Sequence, residues 1–164
     1  MRVRRPERRG GALAGSARCL ALAAALFVAL ACASATPATL GIRYDRLTPC
    51  PTEPNCVSSD SLAPSHRVAP FELRVPAAEA WRAAREAVAA LADTRIVAAD
   101  DAYLHAITTR AMGAVDDLEL HLRPDRELIA VRSGARGGYT DFGANRRRVE
   151  VLRADLVRRG VVPP

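Results

Sequence analysis

The amino-acid sequence predicts an α+β domain: an antiparallel sheet with two helices on one face, in the order β-α-β-β-β-β-α. Three observations carry this expectation. Ala77, Trp81, Ala84, Val88 and Leu91 recur at helical spacing. Four short apolar or alternating segments follow between Arg95 and Ala135, separated by turn residues. A second helical stripe (Phe142, Asn145, Val149, Leu152, Leu156) then runs to a stop at Gly160.

Each element has a local cause. Residues 67–75 read as a strand, and Pro76 suits the first turn of a helix, where its missing N–H costs nothing. In that helix Glu79, Arg82 and Glu86 stand off the apolar stripe, and Trp81 serves as a core anchor. Residues 95–99 and 103–109 form strands joined by a turn at Asp100-Asp101. Across residues 115–122, Leu118, Leu120 and Leu122 share one face, while Asp117, Glu119 and His121 share the other. Pro124-Asp125 turns the chain into a strand over 127–135. There Ile129, Val131, Ser133 and Ala135 face one way, and Leu128, Ala130, Arg132, Gly134 and Arg136 the other. Asp141 is a good N-cap for the last helix, and Arg158 and Arg159 suit the negative end of its dipole. Helix-grip and TATA-binding-protein-like folds share this layout, as an analogy of architecture.

The chain has 164 residues and a formal charge of +6, but the charge is unevenly placed. Six arginines (Arg2, Arg4, Arg5, Arg8, Arg9, Arg18) precede the first apolar run, against the single acid Glu7. The remainder holds 18 arginines and 17 acids, which is close to neutral. Counterion-driven nucleic-acid binding is therefore not expected. No lysine is present, which closes Schiff-base chemistry.

The basic opening, an apolar core over 19–31 and small residues at its end describe a signal peptide over residues 1–31. Ala29-Leu30-Ala31-Cys32 resembles a lipoprotein box, with Cys32 as the acylated residue, although Ala29 stands where a larger aliphatic is preferred. Ordinary cleavage around Ala31-Cys32-Ala33 is the alternative, giving a soluble periplasmic or secreted protein. Residues 32–47 read as anchor and tether, and 48–164 as one domain. Four prolines and two cysteines between Thr48 and Pro64 exclude a helix or central strand there. A Cys50–Cys56 staple is expected, which leaves Cys32 as the odd thiol that lipidation accounts for. A redox or metal pair is the other option, but the spacing is not C-x-x-C and no second pair completes a zinc site.

The glycine corner collects the polar candidates. Asp116, Arg132, Arg136, Asp141 and Asn145 converge near Gly137-Gly138 if the strands pair in order. Two accounts fit: a structural network that ties the last helix to the sheet, which is preferred, or a pocket whose arginine forks hold a small anionic ligand. His66, His105 and His121 are scattered, and neither a G-x-S-x-G elbow nor a P-loop occurs. No catalytic residue, metal or cofactor is assigned.

Asp116-Asp117 and the run Val131 to Arg146, taken with Pro49-Cys50-Pro51-Thr52-Glu53-Pro54-Asn55-Cys56-Val57-Ser58-Ser59, resemble the family catalogued as domain of unknown function 1499. The resemblance extends from about Leu47 to the C-terminus and implies no activity and no catalytic residue. The expected function is that of a cell-envelope lipoprotein, held at the membrane by its lipid and binding a ligand or an envelope protein. The alternative is a hydrolase or isomerase that uses Asp116 or Asp117 with a histidine and the arginine pair. A pocket holding a carboxylate of raised pKa would favour the enzyme, and an exposed apolar patch would favour a protein partner.

Overall fold

A computed structural model describes residues 39–164. The expected signal peptide, the candidate lipidation residue Cys32 and the start of the expected tether lie outside the described residues. The described chain forms a six-stranded antiparallel sheet, a small hairpin and two helices.

The hairpin comes first. β1 (Ile42–Arg43) and β2 (Arg46–Leu47) are joined by Tyr44 and Asp45, both left-handed at φ 51° and 59°, a backbone that suits a two-residue hairpin turn. Residues 39–47, expected as the end of the tether, therefore belong to the folded unit, with Leu47 buried. The next strand, β3 (Cys56–Ser58), lies inside the proline-rich segment but at the sheet edge, in the proline-free stretch between Pro54 and Pro64. Of the strand expected over 67–75 only β4 (Phe71–Glu72) forms. A 3-10 turn at Pro64–His66 and Pro70 bend the approach, so only two residues reach the sheet.

The remaining order matches expectation: α1 (Ala77–Ala89), β5 (Thr94–Ala99), β6 (Tyr103–Thr109), β7 (Val115–Arg123), β8 (Leu128–Ala135) and α2 (Ala144–Arg158). Strands run β3-β8-β7-β6-β5, with β4 also paired to β8. The register sets Leu118 opposite Ala106 and Ser133, and Leu120 opposite Leu104 and Val131. These apolar residues, with Ala80, Trp81, Ala84 and Val88 of α1 and Val149, Leu152 and Leu156 of α2, form one hydrophobic core. Trp81 closes its edge, and its Nε1 donates to the Asp100 carbonyl at 3.1 Å.

α2 starts later than expected. Asp141 is not its N-cap residue; Gly143 is, at φ 78°. Asp141 nevertheless caps from two residues upstream: Oδ1 accepts from the Gly143 N–H at 2.9 Å and Oδ2 from the Asn145 N–H at 2.7 Å. Phe142, placed on the inward stripe by helical phase, is 82% exposed because its backbone is left-handed and precedes the helix. At the other end Gly160 closes α2 through the paired Schellman bonds, Val161 N–H to Leu156 carbonyl and Gly160 N–H to Val157 carbonyl.

Candidate functional site

The sheet has a second face, and most of it is covered. Tyr103, His105, Asp117, Glu119, His121 and Arg132 share the parity opposite the core leucines. Glu119 is fully buried, and His105, Asp117, His121 and Arg132 are buried beside it. The cover is the β1–β2 hairpin together with the disulfide segment that follows it. Gly41 donates its N–H to Glu119 Oε1 at 2.6 Å. Arg123, at the far end of β7, grips Asp60 with both terminal nitrogens, and Asp60 also accepts from the Leu47 N–H. Buried ionised groups require such partners.

Two charge pairs form the centre of this layer. Glu119 Oε2 accepts from Arg132 Nη1 at 2.9 Å, while Oε1 accepts from Tyr103 Oη at 2.7 Å. Burial, then the Glu119 carboxylate, push the Tyr103 phenol well above its ordinary range, so it stays a donor. Asp117 receives Arg136 through Nε and Nη2, and His105 Nε2 stands 2.7 Å from Asp117 Oδ1. Burial alone would raise the Asp117 pKa, but the hydrogen bonds from His105 and Arg136 outweigh it and hold the carboxyl below the usual range. Farther along, burial and the Arg123 charge lower the pKa of His121. The neutral ring then accepts at Nδ1 from Arg123 Nε at 3.2 Å.

The five expected site residues divide between the two faces. Asp116, Asn145 and the capping Asp141 lie on the helix side. There Arg148 Nη2 donates to Asp116 Oδ2 at 2.7 Å and Arg148 Nη1 to Asn145 Oδ1 at 2.6 Å. Ser133 Oγ also donates to Asn145 Oδ1, whose Nδ2 reaches the Asn55 carbonyl. Arg110 Nε adds a second cation 2.8 Å from Asp116. This network ties α2 to β7, β8 and the disulfide segment without Arg132 or Arg136. Sequence reasoning missed Arg148 and Ser133, although both fall at helical or strand spacing from residues it singled out.

Arg132 and Arg136 lie across the sheet from that network and open into a cleft of about 680 Å³. Its lining includes Pro49, Cys50, Glu53 and Asn55 of the disulfide segment, Gly137, Gly138 and Tyr139 of the glycine turn, and Asp117, Arg132 and Gly134 of the sheet; Asn55 Nδ2 donates to the Gly138 carbonyl, so the two segments meet there. Cys50 and Cys56 are disulfide-bonded, as expected. Gly134 lets this bridge seat on the sheet, since a Cβ there would stand 3.1 Å from Cys56 Sγ. Gly138, at φ 86°, turns the exposed glycine loop, whose Gly137, Gly138 and Tyr139 N–H groups face solvent and have no acceptor among the described residues. Two buried side-chain atoms of the cleft residues also lack partners among the described residues: Arg132 Nε and Asn55 Oδ1. Among the described residues no group of three or more His, Cys, Asp and Glu could hold a metal ion.

A family model described as a protein of unknown function (DUF1499) matches residues 46–156. The chain belongs to this family. The matched span of the DUF1499 protein includes the disulfide and most of the residues of the polar layers and the cleft, while Thr39 and Leu40 of the cleft lining and Gly41, which donates to Glu119, lie ahead of it. No curated protein and no solved structure matches the chain.

Proposed function

We propose that this DUF1499 protein is a cell-envelope protein, lipid-anchored through Cys32, whose domain binds a small oxygen-bearing ligand without transforming it. The observation that carries the binding reading is Arg132: 5% exposed in the cleft lining, with Nη1 on Glu119 and Nε unpartnered. A buried guanidinium with an idle donor carries a cost of about 1–3 kcal/mol, which an incoming acceptor oxygen removes. Arg136, also at the cleft and bonded to Asp117 through Nε and Nη2, and the exposed backbone N–H groups of Gly137 to Tyr139 add solvent-facing donors.

The non-enzymatic reading is favoured by the depressed pKa of Asp117, because a carboxylate spent on His105 and Arg136 makes a weak base. Export is supported by the basic, then apolar opening and by the disulfide. A protein partner is the second reading, supported by a groove of about 620 Å³ at whose rim Tyr44 and Leu62 are exposed.

A melting screen of small carboxylates, phosphates and polyols on the full chain tests the binding. A ligand at a hundredfold excess over its Kd adds about 2.7 kcal/mol, and Arg136→Gln should abolish the shift. A shift that survives Arg136→Gln sinks this site. Mass spectrometry of native protein from the membrane fraction should find an acylated N-terminal Cys32; an unclipped chain in the cytosol overturns the envelope reading.

A further inference from the structure

The identity of the ligand follows from the charge around the cleft, an argument that rests on the binding reading above. Taken alone, Arg132 and Arg136 suggest an anion. Each is already matched, Arg132 by Glu119 at 2.9 Å and Arg136 by Asp117 at 2.9 Å, and Glu53 adds an unmatched acid to the wall. An anion entering here meets no net positive field, while the unused groups are hydrogen-bonding ones.

Those groups are of both kinds. Arg132 Nε and the N–H groups of the glycine turn donate, and Asn55 Oδ1 accepts. A carboxylate or phosphate ester satisfies only the donors, whereas a hydroxyl does both. Arg132 Nε and Asn55 Oδ1 are buried, with Arg132 Nη1 held by Glu119 and Asn55 Nδ2 by the Gly138 carbonyl, so a ligand reaches them only when the guanidinium and the amide turn. Their unmet hydrogen bonds favour that movement. At the rim, Tyr139 is 75% exposed and lines the cleft. An aromatic ring held in water beside planar polar groups offers a face to the C–H side of a sugar ring while the hydroxyls turn toward the floor. The volume of about 680 Å³ accommodates more than one such ring.

We infer that the cleft takes an uncharged saccharide, stacked on Tyr139 and hydrogen-bonded through its hydroxyls to Arg132, Arg136 and Asn55. Binding of the full chain to an array of neutral and acidic glycans tests this, with inorganic phosphate and citrate tested separately by melting. Neutral glycans should bind, with affinity changing less than about twofold between 0.05 and 0.5 M salt because no net charge is paired. Tyr139→Ala removes an exposed side chain and leaves the fold intact; it should weaken glycan binding about tenfold or more. Binding of neutral glycans that Tyr139→Ala does not change overturns the inference. So does binding confined to acidic glycans, phosphate or citrate, although the cleft then remains a binding site. If no glycan, phosphate or citrate binds, the binding reading falls as well.

Discussion

Replacing Glu119 with glutamine removes one negative charge from the most enclosed position of the polar layer. The carboxylate is fully buried and receives three donors: Gly41 N–H, Tyr103 Oη and Arg132 Nη1. Glutamine keeps the shape, and its single oxygen can still serve both Gly41 and Tyr103, which share Oε1. Its amide nitrogen must then face a donor, and Arg132, only 6% exposed at the side chain, keeps a charge with no counter-ion. Breaking one partner of a buried pair costs about 3–5 kcal/mol. That is a large share of the ~5–15 kcal/mol that holds a domain folded. For a unit of this size the melting temperature should fall by roughly 10–20 °C. Thermal unfolding followed by circular dichroism reads the effect. The double variant Glu119→Gln/Arg132→Met, which removes the stranded cation as well, should regain most of the loss. A single variant melting within about 3 °C of the parent would refute the claim that the Glu119–Arg132 pair is sealed from water.

Two further outcomes follow. Asp117 has a folded pKa below its ordinary value of 3.8, so between the two values the unfolded chain binds the proton first. The stabilisation from its bonds to His105 and Arg136 is complete above about pH 4 and is lost as pH falls through the lower value; urea melts should show a shallower acid slope for Asp117→Asn. Cys50→Ser opens a loop whose ends are six positions apart, which should cost about 2 kcal/mol in denaturant melts and loosen one cleft wall; an unchanged midpoint would refute the staple.

Periodicity made the helix face legible. Leu118, Leu120, Val131, Val149 and Leu152 repeat at the spacing of the element that carries them, and all are buried together. The same parity placed Arg132 and Arg136 on one face, where the cleft holds both. It could not show what covers that face. Asp117, Glu119 and His121 alternate with leucines as a water-facing row would, and their cover comes from residues 39–60, which have no period. Spacing thus merges the site across the sheet: strand parity separates Asp116 from Arg132, and Asn145 stands on α2 on the Asp116 side. Helical phase likewise carried Phe142 inward, because a left-handed residue ahead of the first turn leaves no trace in spacing.

The seal over the polar layer has a consequence for the order of folding. Gly41 reaches Glu119 across 78 positions, Asp60 reaches Arg123 across 63, and Asn55 reaches Asn145 across 90. Such distant closures are entropically late events, made only once the central strands and the last helix supply their partners. Residues 39–60 leave the ribosome early, yet they must wait for the other end of the chain before they can settle.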